Sequence, residues 1–427
     1  MKNRPLSLSL LIAGMSFGTA WAVRGQFGHE QGAAWAGAIG GLAIVLLSKR
    51  QDWYAKAFQL TLASAMGWGV GGIISYGKVV GYARGLDFGN VYYGLVKLFV
   101  IGGLFGLLGG GLFGLTLASS RAKPVNWPQL LVEMTAGAII FYYFLIEEMG
   151  WLMTPPRSEA WATCFGITIA LFWHMIRHKQ YAAIRVAIMA GFGAGFGFAF
   201  GNFLQVMGHT YGIKFNFWNV MEYSIGFFGG IGMAYGTFTA KWEAGETDSN
   251  RNSLIAPLLL LSLLIPLIVW DQSFETERLT EIFQTANPMV NTALTVKNVQ
   301  WITFLLAIAF GGCWLYYHLK TRSMQFTLSS DSLYTYFLTY FGMYIIYSIL
   351  ITGAFMSFYR IEQYLYICNF LVVAFTIKKL TPAFTDRGLN SNRWTVNFLF
   401  ALAFLAILTA LAISSHGELH GALVRFE

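Results

Sequence analysis

Arg24-Gly25-Gln26-Phe27-Gly28-His29-Glu30-Gln31-Gly32 interrupts two apolar runs, residues 6–23 before it and 33–47 after it. Three ionisable side chains and three glycines in nine residues form an expensive junction between two expected membrane helices. A charge near hydrocarbon costs several kcal/mol unless it faces protein or water, so such a cluster reads first as a functional site. The same plan of helix, polar break and return helix recurs three times downstream.

The composition sets the class. Of 427 residues 56% are hydrophobic and 11% charged, with a mean hydropathy of +0.55. A soluble domain carries about 25% charge. Apolar runs near the length of a bilayer crossing recur throughout, and with no water to satisfy exposed backbone groups such runs must be helical. The fold expected is all-α, a polytopic membrane protein of about 13 transmembrane helices. The net charge of +8 sits in short loops between spans, which is the positive-inside pattern of a membrane protein rather than a nucleic-acid surface. Cys164, Cys313 and Cys368 lie inside apolar runs without paired spacing. They are expected to be small buried hydrophobes, forming neither a disulfide framework nor a metal site.

In order, helices are expected near 6–23, 31–48, 54–76, 91–118, 129–146, 160–176, 183–204 and 219–240. Polar breaks fall at 24–32, 78–90, 147–159 and 205–218. Ala20-Trp21-Ala22 also fits the cleavage pattern of a secretory signal. The first run is long for a signal core, and the first hairpin needs a helix there, so the reading keeps it as a span. Residues 241–253 are the most polar stretch and are read as a cytoplasmic linker between two modules, 1–240 and 254–427. Of the 47 glycines, 39 precede residue 241 and seven follow residue 253, so the first module is expected to pack its helices more closely. Five helices are expected in the second, near 254–270, 299–318, 332–358, 361–380 and 395–413. An outer loop at 271–298 carries Leu279, Ile282, Phe283 and Ala286 at helical spacing, as in a surface helix or a lid. A short tail closes the chain.

An offset of 124 aligns six glycines between 66–113 and 190–237. With the shared hairpin plan, this suggests a four-helix unit repeated about an axis along the membrane normal, a symmetry known in transporters. Orientation follows from the bases. With the N-terminus in the cytoplasm of a cell carrying the protein in its inner or plasma membrane, 18 of the 28 Lys and Arg lie in cytoplasmic loops, and all four breaks share the outer face.

The candidate binding residues come from those breaks and their flanks. Arg24 reads as an anion-binding group beside the free amides of the next helix, or as a structural ion-pair partner. Glu147 and Glu148 occupy the corresponding place in the third hairpin, and the pseudo-symmetry would let one of them meet Arg24. His29 with Glu30, and His209 in the fourth hairpin, offer groups that titrate near neutral pH, or plain interfacial hydrogen bonds. Arg157 and Glu159 sit on a loop stiffened by Pro155 and Pro156. Asn202, Gln205 and Glu222 form a polar patch in apolar surroundings. Tyr336, Tyr340, Tyr344 and Tyr347 repeat at helical spacing, a stripe that packs or stacks on a sugar. His174/His178 and His416/His420 have i,i+4 spacing without the order of a zinc-protease helix. The second pair lies in a tail expected to fray. No metal and no cofactor is expected.

The function expected is transport of a small polar solute, anionic or polyhydroxylated, through a cavity open to the non-cytoplasmic face. The partners expected are that solute and the lipid bilayer, not nucleic acid. One alternative is an intramembrane hydrolase or transferase at the outer face with Glu148, Glu30 or His29 as acid and base. A further alternative is a non-catalytic subunit of a membrane complex.

Overall fold

The computed structural model describes residues 6–120, 123–242, 252–320, 329–388 and 391–425, and among them there is no strand. In chain order the helices are α1 (Leu6–Arg24), α2 (His29–Ser48), a single turn α3 (Gln51–Tyr54), α4 (Ala57–Gly72), the short α5 (Gly77–Tyr82), α6 (Phe88–Ala118), α7 (Trp127–Tyr142), α8 (Ala160–Arg177), α9 (Tyr181–Thr210) and α10 (Phe217–Phe238). There follow α11 (Asn252–Leu259), α12 (Ile265–Ser273), α13 (Thr276–Ala286), α14 (Thr292–Lys320), α15 (Ser330–Thr352), α16 (Ile361–Ile377) and α17 (Ser391–Ser415). Wider π-helical turns, Tyr143–Glu148 and Leu260–Leu264, extend α7 and join α11 to α12. Among the described residues nine helical segments are long and apolar enough to cross a membrane. This is a multi-pass helical membrane protein.

Several boundaries differ from the sequence expectation for local reasons. The run 54–76 divides at Lys56, whose ammonium donates to the carbonyls of Thr116, Leu117 and Ser119 at the open end of α6. Those carbonyls have no partner within their own helix, so a basic side chain serves them well. α6 begins three residues early because the Asp87 carboxylate accepts from the Asn90 amide at 2.8 Å, a helix N-cap. α9 runs six residues past 204, so His209 rides on its last turn instead of in a break. The helix near 271–298 is present as α13, with Leu279 and Phe283 fully buried.

Six helices close into a ring. α1 packs on α2, α2 on α4, α4 on α6, α6 on α9, α9 on α10, and α10 returns to α1. Aromatic side chains fill the middle. Phe17 and Trp21 of α1, Trp68 of α4, Phe105 of α6 and Phe198 of α9 are fully buried and touch in succession at 4.5 to 6.1 Å between ring centroids. The column ends at Tyr76, 5.0 Å from Phe198. Small residues let the ring close this tightly. A Cβ on Gly106 would lie 2.2 Å from the carbonyl oxygen of Ala190, so α6 and α9 meet backbone to backbone. The α7–α8 hairpin lies outside the ring, touching it through α8 against α6 and α9.

The helices after residue 252 wrap the ring: α15 packs on α2 and α1, α16 on α1, and α17 on α6 and α9. Residues from both stretches join one continuous apolar core. Of the expected linker, residues 243–251 lie outside the described residues. The tyrosine stripe packs: Tyr336, Tyr340, Tyr344 and Tyr347 are fully buried, and Trp35 stacks on Tyr340 and Tyr344. Two expectations are corrected. Cys313 and Cys368 are exposed, and only Cys164 is buried. An apolar helix face turned to lipid reads in sequence like one turned to protein. The tail, expected to fray, is docked by hydrogen bonds. The Leu423 amide donates to the Gly81 carbonyl, the Asn90 amide group donates to the Leu423 carbonyl, and the Arg425 amide donates to Asn90 Oδ1. Residues 420–425 thus clasp α5 to the start of α6.

Candidate functional site

Arg24 is the last residue of α1, and its side chain turns into the ring instead of out to the interface. It is 2% exposed and Glu222, in the second turn of α10, is 5% exposed. Guanidinium NH1 donates to Glu222 Oε2 at 3.1 Å and to the Tyr76 hydroxyl at 3.0 Å. Tyr76 in turn donates to Glu222 Oε1. Each charge is therefore paired and hydrogen-bonded, the condition under which burial is tolerated. The guanidinium also lies over the Trp21 ring, 5.0 Å from its centroid. Arg24 joins the polar cluster directly to the aromatic column.

NH2 of Arg24 reaches His29 Nδ1 at 3.1 Å. Arginine has donors only, so Nδ1 must be the acceptor and the ring is neutral with its proton on Nε2. Neighbouring polar groups hold the walls. Asn219 donates to the Ala22 carbonyl and accepts from the Tyr366 hydroxyl. Asn216 donates to Glu362, which also pairs with Arg360. The later helices pin the first break: Arg278 donates to the Gln26 carbonyl at 2.7 Å, and Tyr344 donates to the Gly32 carbonyl at 2.9 Å.

Arg24, His29, Tyr76, Asn216, Trp218, Asn219, Glu222 and Arg360 line a cavity of about 400 Å³. That volume suits a small molecule. The wall holds one buried ion pair, the Arg360 guanidinium that pairs with Glu362, the three side-chain amides of Gln26, Asn216 and Asn219, and one exposed indole.

No family model, curated protein or solved structure matches this chain.

Of the residues singled out in sequence, Arg24, His29 and Glu222 come together here. Arg24 takes Glu222 as its partner, and neither Glu147 nor Glu148. Those two sit exposed on the π-helical turn of the outlying hairpin. Glu30, Arg157 and His209 are exposed, and none of them lines the cavity. Asn202 and Gln205 are fully buried and bonded to each other at 3.3 Å. Glu159 has an architectural place: its carboxylate accepts from the amides of Met153 and Thr154 and from the Trp161 indole, each at 2.8 Å. Glu159→Ala is expected to lose about 1.5–3 kcal/mol, the worth of hydrogen bonding to a charged group. Hydrogen exchange at residues 153–154 should accelerate, while the cavity residues stay protected. Unchanged exchange there would contradict that assignment.

Sequence reading missed Tyr76, Asn216, Asn219, Trp218 and Arg360. Tyr76 stands next to the Gly77-Lys78 break, but a tyrosine in an apolar run carries no mark that separates a site residue from packing. Among the described residues no group of three or more His, Cys, Asp or Glu is placed to hold a metal ion.

Proposed function

We propose that this protein is a transporter of a small polar solute, taken up in the cavity beside Arg24. The observation that carries the reading is a paired Arg24–Tyr76–Glu222 cluster, buried within a closed helix ring and lining a cavity of about 400 Å³. Paired charges at the ends of membrane helices mark solute pathways. Because Arg24 is neutralised by Glu222, the site favours a polyhydroxylated solute over a simple anion. Amides, the Tyr76 hydroxyl and the charged pair can meet hydroxyl groups, and Trp218 offers a stacking face. The aromatic column beneath the cavity supports the same reading: the solute site is sealed from the far end of the ring, as in one state of an alternating-access cycle.

In this proposal α4, α8, α10 and α16 cross the membrane beside the nine segments already described, giving 13 spans. The cavity faces away from the cytoplasm, and the basic loops at the other helix ends face inward. Cysteine labelling with an impermeant reagent in intact cells tests the orientation. A cysteine at position 214 is expected to react and one at 179 to remain silent; the reverse pattern would invert the arrangement.

The transport reading is tested in proteoliposomes against a panel of sugars, polyols and hydroxy acids. The expected result is accumulation or exchange of one solute, recovered chemically unchanged. Conversion of a solute to a different product in detergent, where no gradient exists, would replace transport with catalysis. Arg24→Lys keeps the charge but gives up the planar fork that reaches Glu222, Tyr76 and His29 together. Affinity is expected to fall about tenfold or more, the loss of a charged hydrogen bond of about 1.5–3 kcal/mol. Wild-type affinity in that variant would remove Arg24 from the site.

A further inference from the structure

A larger cavity lies elsewhere. It has a volume of about 570 Å³ and is walled by the segment around α3, the end of α6, the start of α9, the end of α10 and residues 386–388. α10 has 22 residues and joins the two sites, with Glu222 near one end and Ala240 just past the other. At 1.5 Å per residue the second cavity lies about 30 Å from Arg24.

Its wall carries Lys56, Lys123, Lys179, Arg185, Lys241 and Arg387 against two acids, Asp52 and Asp386. Both acids are engaged, Asp52 by Arg50 and Asp386 by Lys241 at 3.8 Å. Arg185 is 5% exposed, and among the described residues no carboxylate lies within ion-pair distance of it. Its guanidinium is held by neutral oxygens: Nε and NH2 donate to Thr239 Oγ1, and NH1 donates to the Gly388 carbonyl. Arg387 likewise rests on the Tyr235 hydroxyl. Bases that only orient a membrane protein need to lie in loops. They need not converge on one hollow, and Arg185 belongs to the second turn of α9. A buried guanidinium held in place by neutral groups lacks a counter-charge. Trp53 and Trp242, in edge contact at 5.8 Å, form an aromatic wall beside the bases, as at membrane–water boundaries.

We propose that this cavity is a binding site for a phosphate-bearing anion, either the headgroup of an anionic phospholipid or a soluble phosphate compound. The arginine fork and the lysine ammonium both suit phosphate oxygens, the first in two places and the second as a point charge, and basic pockets between membrane helices are known to receive anionic headgroups. The site is independent of the Arg24 cavity and of the transport reading.

The test uses the full chain with two probes, pyrophosphate in lipid-free detergent and phosphatidylglycerol in mixed nanodiscs. Native mass spectrometry and thermal unfolding read both. If a lipid is the ligand, phosphatidylglycerol stays bound after detergent exchange and pyrophosphate gives no saturable shift. If a soluble compound is the ligand, pyrophosphate gives the shift. In either case Arg185→Gln is expected to weaken the response at least tenfold. Should that variant fail to fold, Arg387→Gln with Lys179→Gln should weaken it similarly, with Lys214→Gln at the opposite end as the control. Binding of neither probe to the wild type would overturn the proposal. So would a loss as large in Lys214→Gln as in the pocket variants.

Discussion

Arg24→Leu is expected to destabilise the protein by about 3–5 kcal/mol, because it leaves Glu222 buried with half its ion pair gone. Glu222→Leu should cost a similar amount by stranding the guanidinium. The double variant Arg24→Leu/Glu222→Leu should recover most of that loss, since removing both charges also removes their desolvation penalty. Reversible unfolding in detergent or bicelles gives the three free energies. A double variant that loses the sum of both singles would mean that the two charges do not stabilise each other, and the geometry above would be wrong. The recovered double variant also isolates function from folding. It is expected to be folded and, if the proposed site is right, unable to bind the proposed solute.

The second large effect is a single methyl group. Gly106→Ala places a Cβ 2.2 Å from the Ala190 carbonyl oxygen. The obstructing atom is backbone, so α6 and α9 must separate along their shared face. A cost of about 3 kcal/mol is expected, at the upper end for overpacked cores. Gly312→Ala in α14 is the control, because a Cβ there meets nothing within 4 Å. It should be neutral or stabilise by about 0.5–1 kcal/mol, the ordinary helical advantage of alanine over glycine. Equal effects at the two positions would show that helix propensity, not close approach, governs the glycines of the ring.

These two cases show what was legible in the sequence. The membrane class was plain, because run length and low charge follow directly from bilayer thickness. Arg24, His29 and Glu222 stood out for a related reason: polar groups among apolar neighbours demand partners. Which partners they find was not legible. Arg24 and Glu222 are 198 positions apart, and their meeting depends on α10 closing the ring onto α1. A pseudo-symmetric pairing with Glu147 or Glu148 was as consistent with the spacing, yet that hairpin lies outside the ring. Glu159 misled because a charged residue on a stiff loop resembles a ligand group, although two backbone amides and the Trp161 indole take up its carboxylate. Burial was hard to read for Cys313 and Cys368, since lipid and protein interior select the same side chains.

The aromatic column has an electrical consequence. Aromatic side chains from Phe17 to Phe198 fill the ring beneath the site, while the cavity above is open and polar. A voltage applied across the membrane would therefore fall mainly over that column. One elementary charge crossing the full drop exchanges about 2.3 kcal/mol per 100 mV with the field. Arg24 and Glu222 stand together at the edge of the column as a neutral pair, so a movement that carries both contributes almost no gating charge. Under the transport proposed above, uncharged cargo would pass at a rate indifferent to membrane potential, whereas a charged cargo would carry a current proportional to its flux.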